Sequence, residues 1–216
     1  MTTRLAVFDC DGTLVDSQAE VCDTMEFAFT DAGLPAPDRN EVRRSVGLSL
    51  PFALQRLAPD LDELQRGAIV ERYKMAFRDR RTRGQLQEPL YDGIADLLGR
   101  LEQAGWQLAV ATGKSDRGLI SCLEAHGIRD KFISLQTADR HPSKPHPAML
   151  EAALFEAGAS PQQAVMIGDT SFDMEMASGA TVRAIGVAWG YHTPAELLAT
   201  GASVVADDPA HLETVL

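Results

Sequence analysis

Two aspartates separated by one residue, Asp9 and Asp11, follow the apolar run Leu5–Phe8 and precede Gly12 and Thr13. Carboxylates crowded at the end of a buried strand, beside a tight glycine turn, are costly unless a cation sits among them. Oxygen donors of this kind suit a hard divalent cation. Three further segments carry polar groups in the same kind of place. Thr112-Gly113-Lys114 follows Leu108–Ala111, and Ser143-Lys144-Pro145 comes a short loop after Ile133–Leu135. Gly168-Asp169 follows Val165–Ile167, and Asp173 lies one helical turn further on. Carboxylates, a hydroxyl and an ammonium that converge in this way suit phosphoryl transfer, because the group transferred is anionic and needs cations and donors around its oxygens. Each piece has a plainer reading alone: an Asp-Gly turn, Thr112 as a helix cap, Lys144 as a surface lysine, Gly168-Asp169 as a turn pair. Their conjunction, each member at an expected strand end, favours one site.

The elements that must position these residues follow from hydrophobic patterning. From Gln107 onward, short apolar runs alternate with helical segments. The runs are Leu108–Ala111, Ile133–Leu135, Val165–Ile167, Val182–Val187 and Ser203–Val205. Helices are expected at Asp116–His126, Pro147–Ala157, Phe172–Ser178, Pro194–Ala199 and Pro209–Val215. This alternation predicts an α/β protein with a parallel sheet covered on both faces, which Leu5–Phe8 joins. In such sheets ligands bind at the carboxyl ends of the strands.

Residues 17–87 read differently. Ser17-x-x-Glu20 and Asp38-x-x-Glu41 are expected to be capping boxes that open helices, with Gly33, Pro35 and Pro37 ending the first. Further helices are expected at Ser49–Leu57 and Asp60–Arg81, with Arg78–Gly84 as a solvated helix end and exit loop. The expected organisation is therefore a core of residues 1–16 and 88–216 and an inserted helical domain of residues 17–87. The crossings Asp16-Ser17 and Glu88-Pro89 are candidate hinges.

Composition sets outer limits. A chain of 216 residues with 45% hydrophobic residues can bury a core without staples. A net charge of −11 argues against nucleic-acid and anionic-membrane partners, while leaving room for an anionic substrate at a local cation. Cys10, Cys22 and Cys122 are scattered, with no metal or disulfide spacing, and fit a reducing cytoplasm. Cys10, between the two aspartates, reads as strand packing. Met1-Thr2-Thr3-Arg4 runs straight into the first strand, no signal peptide is expected, and no apolar run approaches transmembrane length.

Asp9-x-Asp11-Gly12-Thr13, Thr112, Lys144 and Gly168-Asp169-x-x-x-Asp173, in this order, resemble the four motifs of the haloacid dehalogenase-like hydrolases. Leu90–Gly93, Ala111–Lys114 and Gly186–Pro194 resemble the phosphoglycolate phosphatase branch. The resemblance implies a Rossmann-like core with an α-helical cap. It implies a Mg²⁺-dependent phosphatase for a small phosphorylated metabolite, 2-phosphoglycolate first among candidates, in a cytoplasmic monomer or homodimer. It assigns Asp9 as the nucleophile that becomes an aspartyl-phosphate and Asp11 as the acid and base. Asp9, the Asp11 backbone carbonyl and Asp169 would hold Mg²⁺, with Asp173 in support. Thr112 and Gly113 would grip phosphate oxygens, beside Gly12, and Lys144 would offset the negative charge. In the cap, Arg43, Arg44 and the loop Ser45–Ser49 are candidates to meet the rest of the substrate, and His192 is expected to be structural. A sugar phosphomutase, a pyrophosphatase and a dehalogenase are the alternatives within the family. A binding protein on a retired scaffold would have lost a motif residue, and none is missing.

Overall fold

The computed structural model describes residues 3–216. In chain order, β1 (Arg4–Phe8) is followed by four helices, α1 (Gln18–Asp31), α2 (Arg39–Ser45), α3 (Leu50–Leu57) and α4 (Glu63–Thr82). Then come α5 (Ile94–Gln103), β2 (Trp106–Thr112), α6 (Asp116–Ala125), β3 (Phe132–Thr137), α7 (Ala148–Ala157) and β4 (Ala164–Gly168). The chain ends with α8 (Ser171–Gly179), β5 (Arg183–Val187), α9 (Pro194–Ala199), β6 (Val204–Ala206) and α10 (Pro209–Val215). The six strands form one sheet in the order β3-β2-β1-β4-β5-β6, with every pairing parallel.

The period-2 alternation of β1 divides the core. Ala6 and Phe8 face one apolar layer, with Ile94, Leu97 and Leu98 of α5, Leu119 of α6 and Leu212 of α10. Leu5 and Val7 face the other, with Met149 and Leu150 of α7, Met174 of α8 and Leu197 of α9. Both faces are covered, as a parallel sheet requires. Helix α5 was not foreseen. Its signal is present: Ile94, Leu97, Leu98 and Leu101 recur at helical spacing and all are buried.

Helices α1–α4 close a third apolar cluster of their own, around Met25, Phe29, Val42, Leu54 and Ile69. Truncating Leu54, which is wholly buried there, is a cavity-forming change of about 2–5 kcal/mol. The two passages between this block and the sheet run side by side. Asp16 donates its N–H to the Pro89 carbonyl at 2.8 Å, and Val15 bridges to Leu90.

The helix starts correct two expectations. Ser17 precedes α1 but makes no side-chain cap bond. Its hydroxyl instead donates to Asp11, and the Glu20 carboxylate is buried against Arg80, at 2.8 and 3.0 Å. Stronger charged partners have drawn both side chains from the capping box. Arg80 is therefore a structural ion-pair partner and not part of a solvated end. Helix α4 starts at Glu63, where Asp62 and Gln65 form a complete capping box, so the expected start at Asp60 was early. Asp38 caps α2 by accepting from the N–H groups of Asn40 and Glu41.

Candidate active site

The motif residues meet at the carboxyl edge of the three central strands. Asp9 leaves β1 with its N–H bonded to the Ile167 carbonyl of β4, which fixes the two strand ends relative to each other. Asp9, Lys144, Asp169 and Asp173 are all fully buried. Lys144 Nζ lies 2.9 Å from Asp9 Oδ1 and 2.7 Å from Asp173 Oδ1. Complete burial between two carboxylates excludes the surface-lysine reading. Asp173, in the first turn of α8, also accepts from the Thr170 N–H at 3.1 Å and the Thr170 hydroxyl at 2.7 Å.

Asp169 is held as firmly. Thr13 Oγ1 donates to its Oδ1 at 2.8 Å, and the Tyr191 N–H donates to its Oδ2 at 2.9 Å. Two glycines make room for it. Gly12 has φ +81°, and a Cβ there would lie 2.3 Å from Asp169 Oδ2; at Gly190 it would lie 2.2 Å from Asp169 Cβ. No side chain fits in either place without displacing the carboxylate. Gly190 was missed in sequence, because only the tertiary approach of the loop after β5 gives it a role.

Carboxylate oxygens of Asp9, Asp169 and Asp173 lie within 4.8 Å of one another, with one ammonium between them. Burial raises the Asp9 carboxyl, Lys144 pulls it back and Asp173 and Asp11 raise it again, leaving it at about 7. Burial, with Asp9 and Asp173 adding to it, also pushes Asp169 well above the carboxylate range. Burial opposes the Lys144 charge, yet Asp173 and Asp9 overcome it and hold the ammonium charged. Asp9 Oδ2 is buried without a hydrogen-bond partner among the described residues. Three dry carboxylates with one cation, which touches two of them, are short of positive charge, and one of their oxygens is left without a partner. This donor set fits a hard divalent cation such as Mg²⁺.

Thr112 ends β2, buried, and its Oγ1 accepts the Lys114 N–H at 3.3 Å. It is not the cap of α6: Ser115 is, accepting from the Gly118 N–H. Lys114, which the sequence presented only as part of the Thr112-Gly113 segment, joins the polar groups gathered at this edge. Its Nζ lies 2.9 Å from Asp11 Oδ1 and 2.6 Å from Glu88 Oε1, with only 9% of its side chain exposed. Burial opposes its charge, and Asp11 and Glu88 outweigh that and raise it. Asp11 thus joins a second polar group with Lys114, Glu88 and Ser17, beside the Asp9 cluster.

A cavity of about 480 Å³ opens from Asp11 toward the helical block, bounded by the loop Ser45–Ser49, α4 and the segment Gly113–Gly118. Ser49 donates its N–H to Ser143 Oγ at 2.8 Å, which joins that loop to the segment carrying Lys144. Of the two arginines of the helical block named from sequence, neither lines this cavity. Arg43 Nη1 bonds Asn40 at 2.8 Å within α2, and Arg44 pairs with Glu196 of α9 at 2.5 Å. His192 accepts the Ser171 N–H on Nδ1 and packs edge-on against Phe172, a structural place at the start of α8.

A parallel sheet with this strand order, and four acidic and basic motifs gathered at its carboxyl edge, define a class. The family model of the haloacid dehalogenase-like hydrolases matches residues 6–187, and the chain belongs to that family. A relative named "Probable phosphatase IndB", from Dickeya dadantii, is 36% identical over 94% of this chain and 89% of its own length. A protein named phosphoglycolate phosphatase from Pseudomonas putida is 30% identical over 95% of this chain and 76% of its own. Among solved structures, a predicted phosphoglycolate phosphatase from Haemophilus somnus superposes with a TM-score of 0.88 over 100% of this chain and 98% of that one, at 24% identity, which bears on the fold. No helix among the described residues is long and apolar enough to cross a membrane.

Proposed function

We propose that the chain is a Mg²⁺-dependent phosphatase that hydrolyses a small phosphomonoester through an aspartyl-phosphate on Asp9. The observation that carries the reading is the dry cluster of Asp9, Asp169 and Asp173 with Lys144, beside Asp11, which lines a cavity. Asp9, the Asp11 carbonyl and Asp169 would hold Mg²⁺, which neutralises charge so that an anionic phosphoryl group can approach a carboxylate.

The remaining work falls to the chain's own groups. Asp9 attacks phosphorus while Lys144 offsets the charge of nucleophile and phosphoryl oxygens. Thr112 and Gly113, at the end of β2, orient those oxygens. Asp11 gives a proton to the leaving alcohol and takes one from the water that hydrolyses the intermediate. Lys114 and Ser17 position its carboxylate for both steps. The helical block over the cavity excludes bulk water during attack, with the paired passages at Asp16 and Pro89 as its hinge. The relatives named phosphoglycolate phosphatase make 2-phosphoglycolate the first substrate to try.

The test is a panel of phosphomonoesters assayed with Mg²⁺ and with EDTA. Phosphate release that EDTA abolishes and Mg²⁺ restores is expected, with the highest kcat/KM on a small carboxylated ester. Full activity in EDTA, or no hydrolysis of any ester, overturns the reading.

A further inference from the structure

Half of the ten arginines of the helical block have an acidic partner, Arg83 with Asp79 among them. Arg39 pairs with Asp23 and Glu26, Arg44 with Glu196, Arg72 with Asp31 and Arg80 with Glu20. Arg81, next to Arg80 in the last turn of α4, does not. Its Nη2 is buried and has no hydrogen-bond partner, and no carboxylate among the described residues lies within 4.0 Å of its guanidinium. Its guanidinium lies over the face of Phe77, 5.4 Å from guanidinium carbon to ring centroid.

A cation–π contact compensates a desolvated guanidinium only in part, and a buried donor left unmade is destabilising. The position explains the arrangement. Arg81 lines the same cavity as Asp11, and its Nη2 lies on the side of Gly118, another wall residue. The walls also carry Lys74, Arg78, Lys114 and Arg117, against the carboxylates of Asp11 and Asp139 alone. Lys114 is engaged by Asp11 and Glu88, Lys74 by Glu71, and Asp139 accepts the Asp116 N–H. In a chain of net charge −11, this one cavity gathers cations. Arg81 is the cation whose donor is both dry and unused.

We propose that Arg81 is the specificity-determining residue of this site, pairing with an anionic group on the leaving-group alcohol of the substrate. The substrate class is then a phosphomonoester whose alcohol carries a second negative charge, a carboxylate or a second phosphate. A neutral alcohol would leave the guanidinium unpaired on closure, so discrimination comes from that stranded donor as much as from the ion pair a charged alcohol forms. This rests on the phosphatase reading above and assigns the recognition that Arg43 and Arg44 do not supply.

The experiment compares three series of alkyl phosphates of matched chain length, ending in a carboxylate, a hydroxyl or a second phosphate, in wild type, Arg81→Met and Arg81→Lys. The readout is the kcat/KM ratio of charged to hydroxyl-ended substrates, which a general loss of folded protein does not change. Wild type should favour one charged series, and the series favoured identifies carboxylate or phosphate as the anion. Arg81→Met should lower that ratio by about tenfold to a hundredfold, as expected for a lost charge-assisted bond, mostly through KM, and Arg81→Lys should retain part of it. A ratio unchanged in Arg81→Met, or no preference in wild type that hydrolyses all series, overturns the assignment of Arg81 alone. No hydrolysis of any series by wild type overturns the phosphatase reading and this proposal with it.

Discussion

Replacing Lys144 by Met removes the one ammonium that touches both Asp9 and Asp173, at 2.9 and 2.7 Å, from a site with no solvent exposure. At an effective dielectric of about 20, each contact is worth about 6 kcal/mol of gross attraction. The desolvation of the ammonium, several kcal/mol, is recovered when it is removed. The net loss expected for breaking such a buried pair is about 3–5 kcal/mol, a large share of the stability of a typical domain. The sign of the pH dependence follows from Asp9. Its carboxyl is already raised to about 7 in the folded protein, from an ordinary 3.8, so its contribution to stability is full below about 4 and lost as pH rises through about 7. Without Lys144 the carboxyl rises further, and the penalty of the variant concentrates at high pH. Urea unfolding followed by circular dichroism, in EDTA, should show a loss of about 3–5 kcal/mol at pH 8 and a clearly smaller one at pH 5. Mg²⁺ should recover part of the loss at pH 8. A variant within about 1 kcal/mol of wild type at pH 8, or equally destabilised at both pH values, would refute the argument that the cluster is short of positive charge.

Gly190→Ala should weaken Mg²⁺ binding about tenfold to a hundredfold by calorimetry, because the new methyl would occupy the place of the Asp169 side chain; unchanged affinity would mean the loop yields. Lys114→Met should destabilise the protein by leaving Asp11 and Glu88 unpaired and dry, and adding Glu88→Gln should restore part of that loss. A double variant less stable than Lys114→Met would show that the charge of Glu88 is not what Lys114 compensates.

How much was legible before the structure depends on the range of the interaction that decides each residue. The strand ends carry their own signals: an apolar run, then Asp9, Thr112 or Gly168-Asp169, and all five strands after the insertion formed within one or two residues of their expected places. Helix α5 carries its signal in Ile94, Leu97, Leu98 and Leu101. Long-range pairing was not legible. Ser17 and Glu20 have the spacing of a capping box, but Asp11 and Arg80 claim them. Lys114 stood in plain view beside Thr112, yet its role depends on Glu88, 26 positions away. Lys144 looked like either a surface residue or a site residue, and only burial decides between them. In the helical block, Arg43, Arg44 and Arg81 are alike in sequence. Their neighbours alone separate a polar contact within α2 and an ion pair to α9 from an unpaired guanidinium.

The central claim is that Asp9 takes the phosphoryl group and Asp11 handles protons. The most direct measurement is a rapid-quench assay with p-nitrophenyl phosphate and Mg²⁺ on wild type, Asp9→Asn and Asp11→Asn, reading covalent phosphate on the protein and its position by mass spectrometry. A good leaving group needs little protonation, so Asp11→Asn should form the phosphoenzyme on Asp9 and lose it slowly, for want of a base for the water. Asp9→Asn should carry none. Equal labelling of the two variants would contradict the account, and labelling of Asp9→Asn alone would reverse the two roles.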